Sequence, residues 1–173
     1  MTSRMTIIPK YLDELKLRFD CPLTIIETGT IRNTAPQYHD GDGHSTLYIA
    51  AWVKLNGGNF YSIDLYTGTC EEYLSMVGLD SHVKFRQQDS ITAINDIKAP
   101  IHFALLDSAN VAQLTLDEFK AIESKLIPGS TVIIDDVIMD SKDVVKGHKV
   151  VPYIKEKGYP YVIQDRLCII RII

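Results

Sequence analysis

Five short apolar runs in the sequence each stop at, or just before, a carboxylate. Glu27 closes the run Thr24–Glu27 and Asp64 lies at the end of Phe60–Leu65. Asp89 follows Val83–Arg86, Asp107 closes Ile101–Asp107, and the pair Asp135-Asp136 closes Thr131–Asp136. Acids are rarely buried without a partner, so a carboxylate on every run is poor packing material and good ligand chemistry. Carboxylates at such places accept hydrogen bonds from hydroxyls and amides, and they face cations. Each also has a plainer role open to it: Glu27 as an acceptor for its own loop, Asp64 as a solvated strand end, Asp89 as a helix N-cap. Three groups that can move protons, His44, Lys146 and His148, fall in loops near these ends. Any of them could serve as a general base, and their spacing does not choose between them.

The runs themselves say how the acids are positioned. They are rich in Ile, Val, Leu and Phe and are continuous rather than alternating, as in a parallel sheet covered on both faces. Helix signals separate them. An opening helix over Ile8 to Phe19 carries Leu12, Leu15 and Phe19 at helical spacing. Ser45 can cap a helix through Leu55 that Asn56-Gly57-Gly58 would end. Thr69 with Glu72, and Thr115 with Glu118, fit capping boxes, and Ser90–Ile97 is a shorter candidate. In the tail, Lys149–Lys157 reads as a helix if Pro152 lies in its first turn. Tyr161–Gln164 and Leu167–Ile173, joined through Asp165-Arg166, read as an antiparallel hairpin. The expected fold is α/β: one Rossmann-like, doubly wound, mostly parallel sheet ending in an antiparallel hairpin. Ligands of such sheets bind outside the carboxyl ends of the strands, where the acids are.

The chain of 173 residues suits one domain over 1–173. A net charge of -4 without any basic run argues against a nucleic-acid partner. Cys21, Cys70 and Cys168 have no metal-ligand spacing and fit reduced thiols of a cytoplasmic protein. No apolar run approaches the length that spans a bilayer.

The order of these features resembles the class I S-adenosylmethionine (SAM)-dependent methyltransferases, over roughly Thr24 to Ile173. Glu27-Thr28-Gly29 looks like that family's first loop, where glycine lets the backbone approach the cofactor. The resemblance implies that Asp64 binds the ribose hydroxyls and that Asp89 and Ser90 hold the adenine edge. The terminal hairpin matches the family's reversed seventh strand. The sequence departs from the family in its broken GxGxG loop: Thr30, Ile31 and Arg32 follow Gly29, and Gly41-Asp42-Gly43-His44-Ser45-Thr46 comes about a dozen residues later. A split loop is implied, with Ser45 and nearby amides taking the methionine carboxylate.

Asp107 with Asp135 and Asp136 is similar to the divalent-metal site of catechol-type and macrocin-type O-methyltransferases and of the related cephalosporin-hydroxylase-like proteins. That likeness implies Mg²⁺, Asp107 at the edge of both metal and cofactor, and O-methyl transfer to a small hydroxylated molecule. Two other readings stay open: a metal-free methyltransferase acting on another acceptor, and a SAM- or partner-binding module without catalysis. Little chain is left for a lid, so the acceptor side is expected to be open or completed by a second subunit of a homo-oligomer.

Overall fold

Seven strands form one sheet in the order β3-β2-β1-β4-β5-β7-β6. In chain order the elements are α1 (Arg4–Arg18), β1 (Thr24–Thr28), α2 (Ser45–Asn56), β2 (Asn59–Asp64), α3 (Gly68–Met76), β3 (Lys84–Gln87), α4 (Ser90–Asp96), β4 (Ile101–Leu106), α5 (Ala112–Glu123), β5 (Leu126–Ile134), α6 (Gly147–Glu156), β6 (Tyr161–Gln164) and β7 (Leu167–Arg171). The computed structural model describes residues 4–35 and 44–173. The segment from 36 to 43, which includes Gly41-Asp42-Gly43, lies outside the described residues. Among the described residues, no helix is long and apolar enough to cross a membrane.

Strands β1 to β5 pair in parallel, while β7 runs antiparallel to both β5 and β6. The expected mostly parallel sheet with a reversed terminal hairpin is therefore present. Alternate residues of the inner strands face opposite layers, as the pleat requires. Ile25, Phe103, Leu105 and Ile133 pack with Leu12 and Leu15 of α1, Ile49 and Val53 of α2, and Leu74 of α3. Ile26, Ala104, Leu106, Val132 and Ile134 pack with Ile94 of α4, Phe119 and Ile122 of α5, and Val150 and Ile154 of α6. All six residues of β4 are buried, which explains its unbroken apolar run.

Several boundaries differ from expectation for identifiable reasons. β3 is largely exposed because it is a sheet edge, so it needs no apolar face on its outer side. Ser45 does not cap α2. His44 holds that position, and the Ser45 hydroxyl is drawn inward to a buried acid. The box at Thr69 does not form; α3 begins one residue earlier, and Thr67 bonds Glu71. The box at Thr115 does not form either. α5 starts at Ala112, which turns Thr115 and Glu118 onto its buried stripe. α6 starts at Gly147, so Pro152 falls past the first turn. It is tolerated on the exposed face, where water can take the carbonyl that its ring leaves unpaired.

The strand ends are levelled by backbone bonds that run past the strands. Gly29 N–H donates to the Ile63 carbonyl (2.9 Å), Asp107 N–H to Thr28 (2.9 Å), and Asp135 N–H to Leu106 (3.1 Å). Gly29 has φ +85°, and a Cβ there would lie 2.8 Å from the Asp107 carbonyl carbon and closer still to its oxygen. Only glycine suits that position. Gly29→Ala should lower stability by about 2 kcal/mol or more in urea denaturation; a change under about 0.5 kcal/mol would show that the β1–β4 junction yields easily.

Candidate functional site

Glu27 is completely buried at the end of β1. Its Oε1 accepts from the Ser45 hydroxyl (2.5 Å), and its Oε2 accepts from the hydroxyls of Thr46 (2.6 Å) and Ser62 (3.1 Å). One carboxyl thus joins β1, the first turn of α2, and β2. Burial pushes its pKa from the ordinary 4.5 up to about 8, against the pull of the three hydroxyls, and nearby Asp107 adds to the rise.

A cleft opens beside this knot. Gly29, Arg32, Asp64, Gln88, Asp89, Ser90, Asp107 and Ser108 contribute to its walls. Asp64 Oδ2 accepts from Thr30 N–H (3.1 Å) and Oδ1 from Tyr66 N–H (3.2 Å), so the carboxylate is fixed at the rim. Asp89 is the N-cap of α4, accepting from Thr92 N–H (3.0 Å), and it also lines the cleft. Its two expected roles are thus compatible. Glu27, Thr28 and Ser45, also expected at the cofactor, are buried behind the wall. They shape the site from beneath.

Asp107, Asp135 and Asp136 meet where β4 and β5 end. One oxygen from each lies within 4.8 Å of the others. Asp135 is fully buried, and Asp136 holds a left-handed backbone at φ +58°. That turn is stabilised locally, because Asp136 N–H donates to Asp135 Oδ1 (2.7 Å). Crowded like charges need cations, and two side chains supply them. Lys146 Nζ lies 2.6 Å from Asp107 Oδ1 and 3.7 Å from Asp136 Oδ2. Arg166 Nε lies 3.3 Å from Asp135 Oδ1, and its Nη2 pairs with Asp136 Oδ1.

The three base candidates separate in space and contacts. Lys146 enters the acid cluster. His44 is buried, with Nε2 3.1 Å from the Asn33 carbonyl oxygen and its ring edge-on to Tyr73. His148 lies in the first turn of α6, and its Nε2 is buried without a hydrogen-bond partner.

Three residues with contacts at the site had no functional role assigned to them in the sequence. Glu118 is fully buried on α5 and accepts from the Thr28 hydroxyl (3.2 Å). Burial raises its pKa, opposed by the hydroxyls of Ser90, Ser108 and Thr28 and by the charge of Lys146. Its Oε1 is buried and, among the described residues, has only the long approach of the Ser90 and Ser108 hydroxyls. An acid on the stripe of Thr115, Phe119 and Ile122 was the available signal. Arg32 follows the broken first loop and lines the cleft. Arg166 sits in a hairpin turn, and no local pattern links it to acids thirty residues away.

A parallel sheet with a reversed last pair and an acid-lined cleft at its carboxyl edge defines the class I methyltransferase fold. A family model described as a methyltransferase domain matches residues 41–137, and the chain belongs to that family. The resemblance expected from the sequence is thus borne out, and the chain is a methyltransferase. Similar solved structures agree in fold. The O-methyltransferase TomG from Streptomyces achromogenes, in complex with SAM, is 17% identical with TM-score 0.64, covering 95% of this chain and 78% of that one. The O-methyltransferase NovP is 14% identical with TM-score 0.77, covering 98% and 79%. The mycinamycin-pathway methyltransferase MycE, solved with Mg and S-adenosylhomocysteine, is 12% identical with TM-score 0.68, covering 96% of this chain and 49% of that one. No curated protein matches the sequence significantly.

The buried Glu27 carries a prediction. The folded form keeps its proton up to about pH 8, whereas the unfolded chain releases it near 4.5. Stability from this group is full below the lower value and is lost as pH rises through the window between them. Thermal midpoints should fall from pH 5 to 8, and Glu27→Gln should flatten that slope. A slope that Glu27→Gln leaves unchanged would place the titration elsewhere.

Proposed function

We propose that this methyltransferase uses SAM to methylate a hydroxyl of a small molecule, with a divalent cation such as Mg²⁺ at Asp107, Asp135 and Asp136. The observation that carries this reading is the acid-lined cleft. SAM bears a sulfonium and an ammonium and has no phosphate, so carboxylates suit it where a nucleotide phosphate would be repelled. In this reading Asp64 accepts from the ribose diol, Asp89 and Ser90 flank the adenine, and Gly29 gives the backbone close access; all four line the cleft, which supports it. Arg32 adds a cation to this wall and is a candidate partner for the methionine carboxylate. Glu27 and Thr28 hold the first loop in place from below, with Ser45 fixed against Glu27.

The donor set fits a hard divalent ion, because three carboxylates on two adjacent strand ends bring oxygen ligands within 4.8 Å of one another. Bound there, such an ion would orient the acceptor hydroxyl and ease loss of its proton. The oxygen would then attack the methyl carbon as the carbon–sulfur bond breaks, leaving S-adenosylhomocysteine. Of the three base candidates, Lys146 is the one whose side chain meets the three acids, and there it is held as their counter-ion. The Lys146 and Arg166 pairs favour a second reading, transfer without metal, in which these cations balance the acids permanently.

Calorimetry with purified protein tests the core of the reading. SAM should bind saturably, and Asp64→Ala should weaken it about tenfold or more, the scale of a lost charged hydrogen bond. Absence of SAM binding to the wild-type chain would overturn the proposal.

A further inference from the structure

The acids at the ends of β4 and β5 already hold a cation of the chain's own, and its mounting is specific. Lys146 is 2% exposed, yet its ammonium reaches Asp107 and Asp136. It stands at the end of a segment, 135–146, that is fastened from several sides. Asn110 Nδ2 donates to the Asp143 carbonyl (2.5 Å), and Asn110 Oδ1 accepts from Val145 N–H (2.9 Å). Ser141 Oγ accepts from Val144 N–H (2.9 Å). Gly147, just beyond, packs so closely on Val137 that a Cβ would come within 2.6 Å of its Cγ1. Arg166, the other cation, is 43% exposed in a hairpin turn and can swing into water.

We infer that Lys146 is a tethered cation that occupies the place of the divalent ion, and that metal binding displaces it and loosens the 143–146 segment from Asn110. This rests on the divalent-ion reading of the three acids. A divalent ion on these carboxylates would bind at about 2.1–2.5 Å from their oxygens. A lysine nitrogen 2.6 Å from Asp107 and 3.7 Å from Asp136 fills the same space, and the two positive charges repel. Both cannot be bound between these two carboxylates. Lys146 follows directly on Val145, whose N–H is held by Asn110 Oδ1, so withdrawal of its ammonium from Asp107 and Asp136 pulls on the Asn110 clasp. Ion affinity is therefore set by a competition inside the chain, which keeps the acids neutralised until the ion arrives.

Binding of Mn²⁺ to the full chain, followed by loss of the free-ion electron paramagnetic resonance signal, tests this without any activity assay. Lys146→Met should bind Mn²⁺ about tenfold more tightly than wild type, the usual scale of coupling between competing sites. Lys146→Arg, which keeps the charge, should stay near wild type. Asn110→Ala retains the lysine but frees its segment and should also tighten binding, which covers the case of a poorly folding Lys146→Met. In the wild type, Mn²⁺ should speed hydrogen exchange at amides 143–146. Equal or weaker binding in Lys146→Met and Asn110→Ala, with clear binding in wild type, would overturn the competition and leave the metal reading standing. No binding in any of the four proteins would overturn both, and Lys146 would then be a permanent counter-ion.

Discussion

The buried carboxyl of Glu27 is the contact on which the cleft side of the molecule depends. It lies at the end of a central strand and takes hydroxyl hydrogen bonds from two other elements, α2 and β2. Ser45 and Thr46 tie the start of α2 to the sheet through this one acid. A group that binds its neighbours this way must lose its water, and burial raises its pKa as a direct consequence. The same desolvated acid stands close enough to Asp107 for their charges to interact, which ties the cofactor wall to the acids of β4 and β5.

Those acids obey a different logic. They stand at the carboxyl ends of β4 and β5 and are balanced by charge rather than by hydroxyls. Lys146 arrives from the segment before α6 and Arg166 from the hairpin. Glu118 lies below, between the two systems, bonded to Thr28 on one side and within the field of Lys146 on the other. The site is thus a row of acids in which Glu27 is satisfied by hydroxyls, Asp64 and Asp89 by backbone amides, and the three acids of β4 and β5 by cations.

Much of this was legible in the sequence, because it followed from pattern. Continuous apolar runs gave the parallel strands, and the tight Asp165-Arg166 joint gave the reversed pair. Strand-end acids followed from the same runs, so Asp64, Asp89, Asp107, Asp135 and Asp136 could be named by place. What was not legible depends on tertiary contacts. Ser45 looks like a cap until Glu27 is known to lie beneath it. Glu118 looks like half of a capping box until the N-cap is found at Val111 rather than Thr115, which turns it inward. Lys146 looks like a mobile base until its partners are seen, and Arg166 has no local signature at all.

Arg166 also bears on how the site comes into being. The acids it neutralises belong to β5, whereas it rides on the turn between β6 and β7, and β7 must insert between β5 and β6 to bring it there. Sequence-local contacts form first during folding, and pairings between distant segments come late because their loop-closure cost is high. The pairing of β1 with β4 joins Ile25 to Phe103, a wider separation than Ile134 to Cys168 between β5 and β7. The hairpin can therefore dock on β5, and bring Arg166 to the acids, before the centre of the sheet has closed.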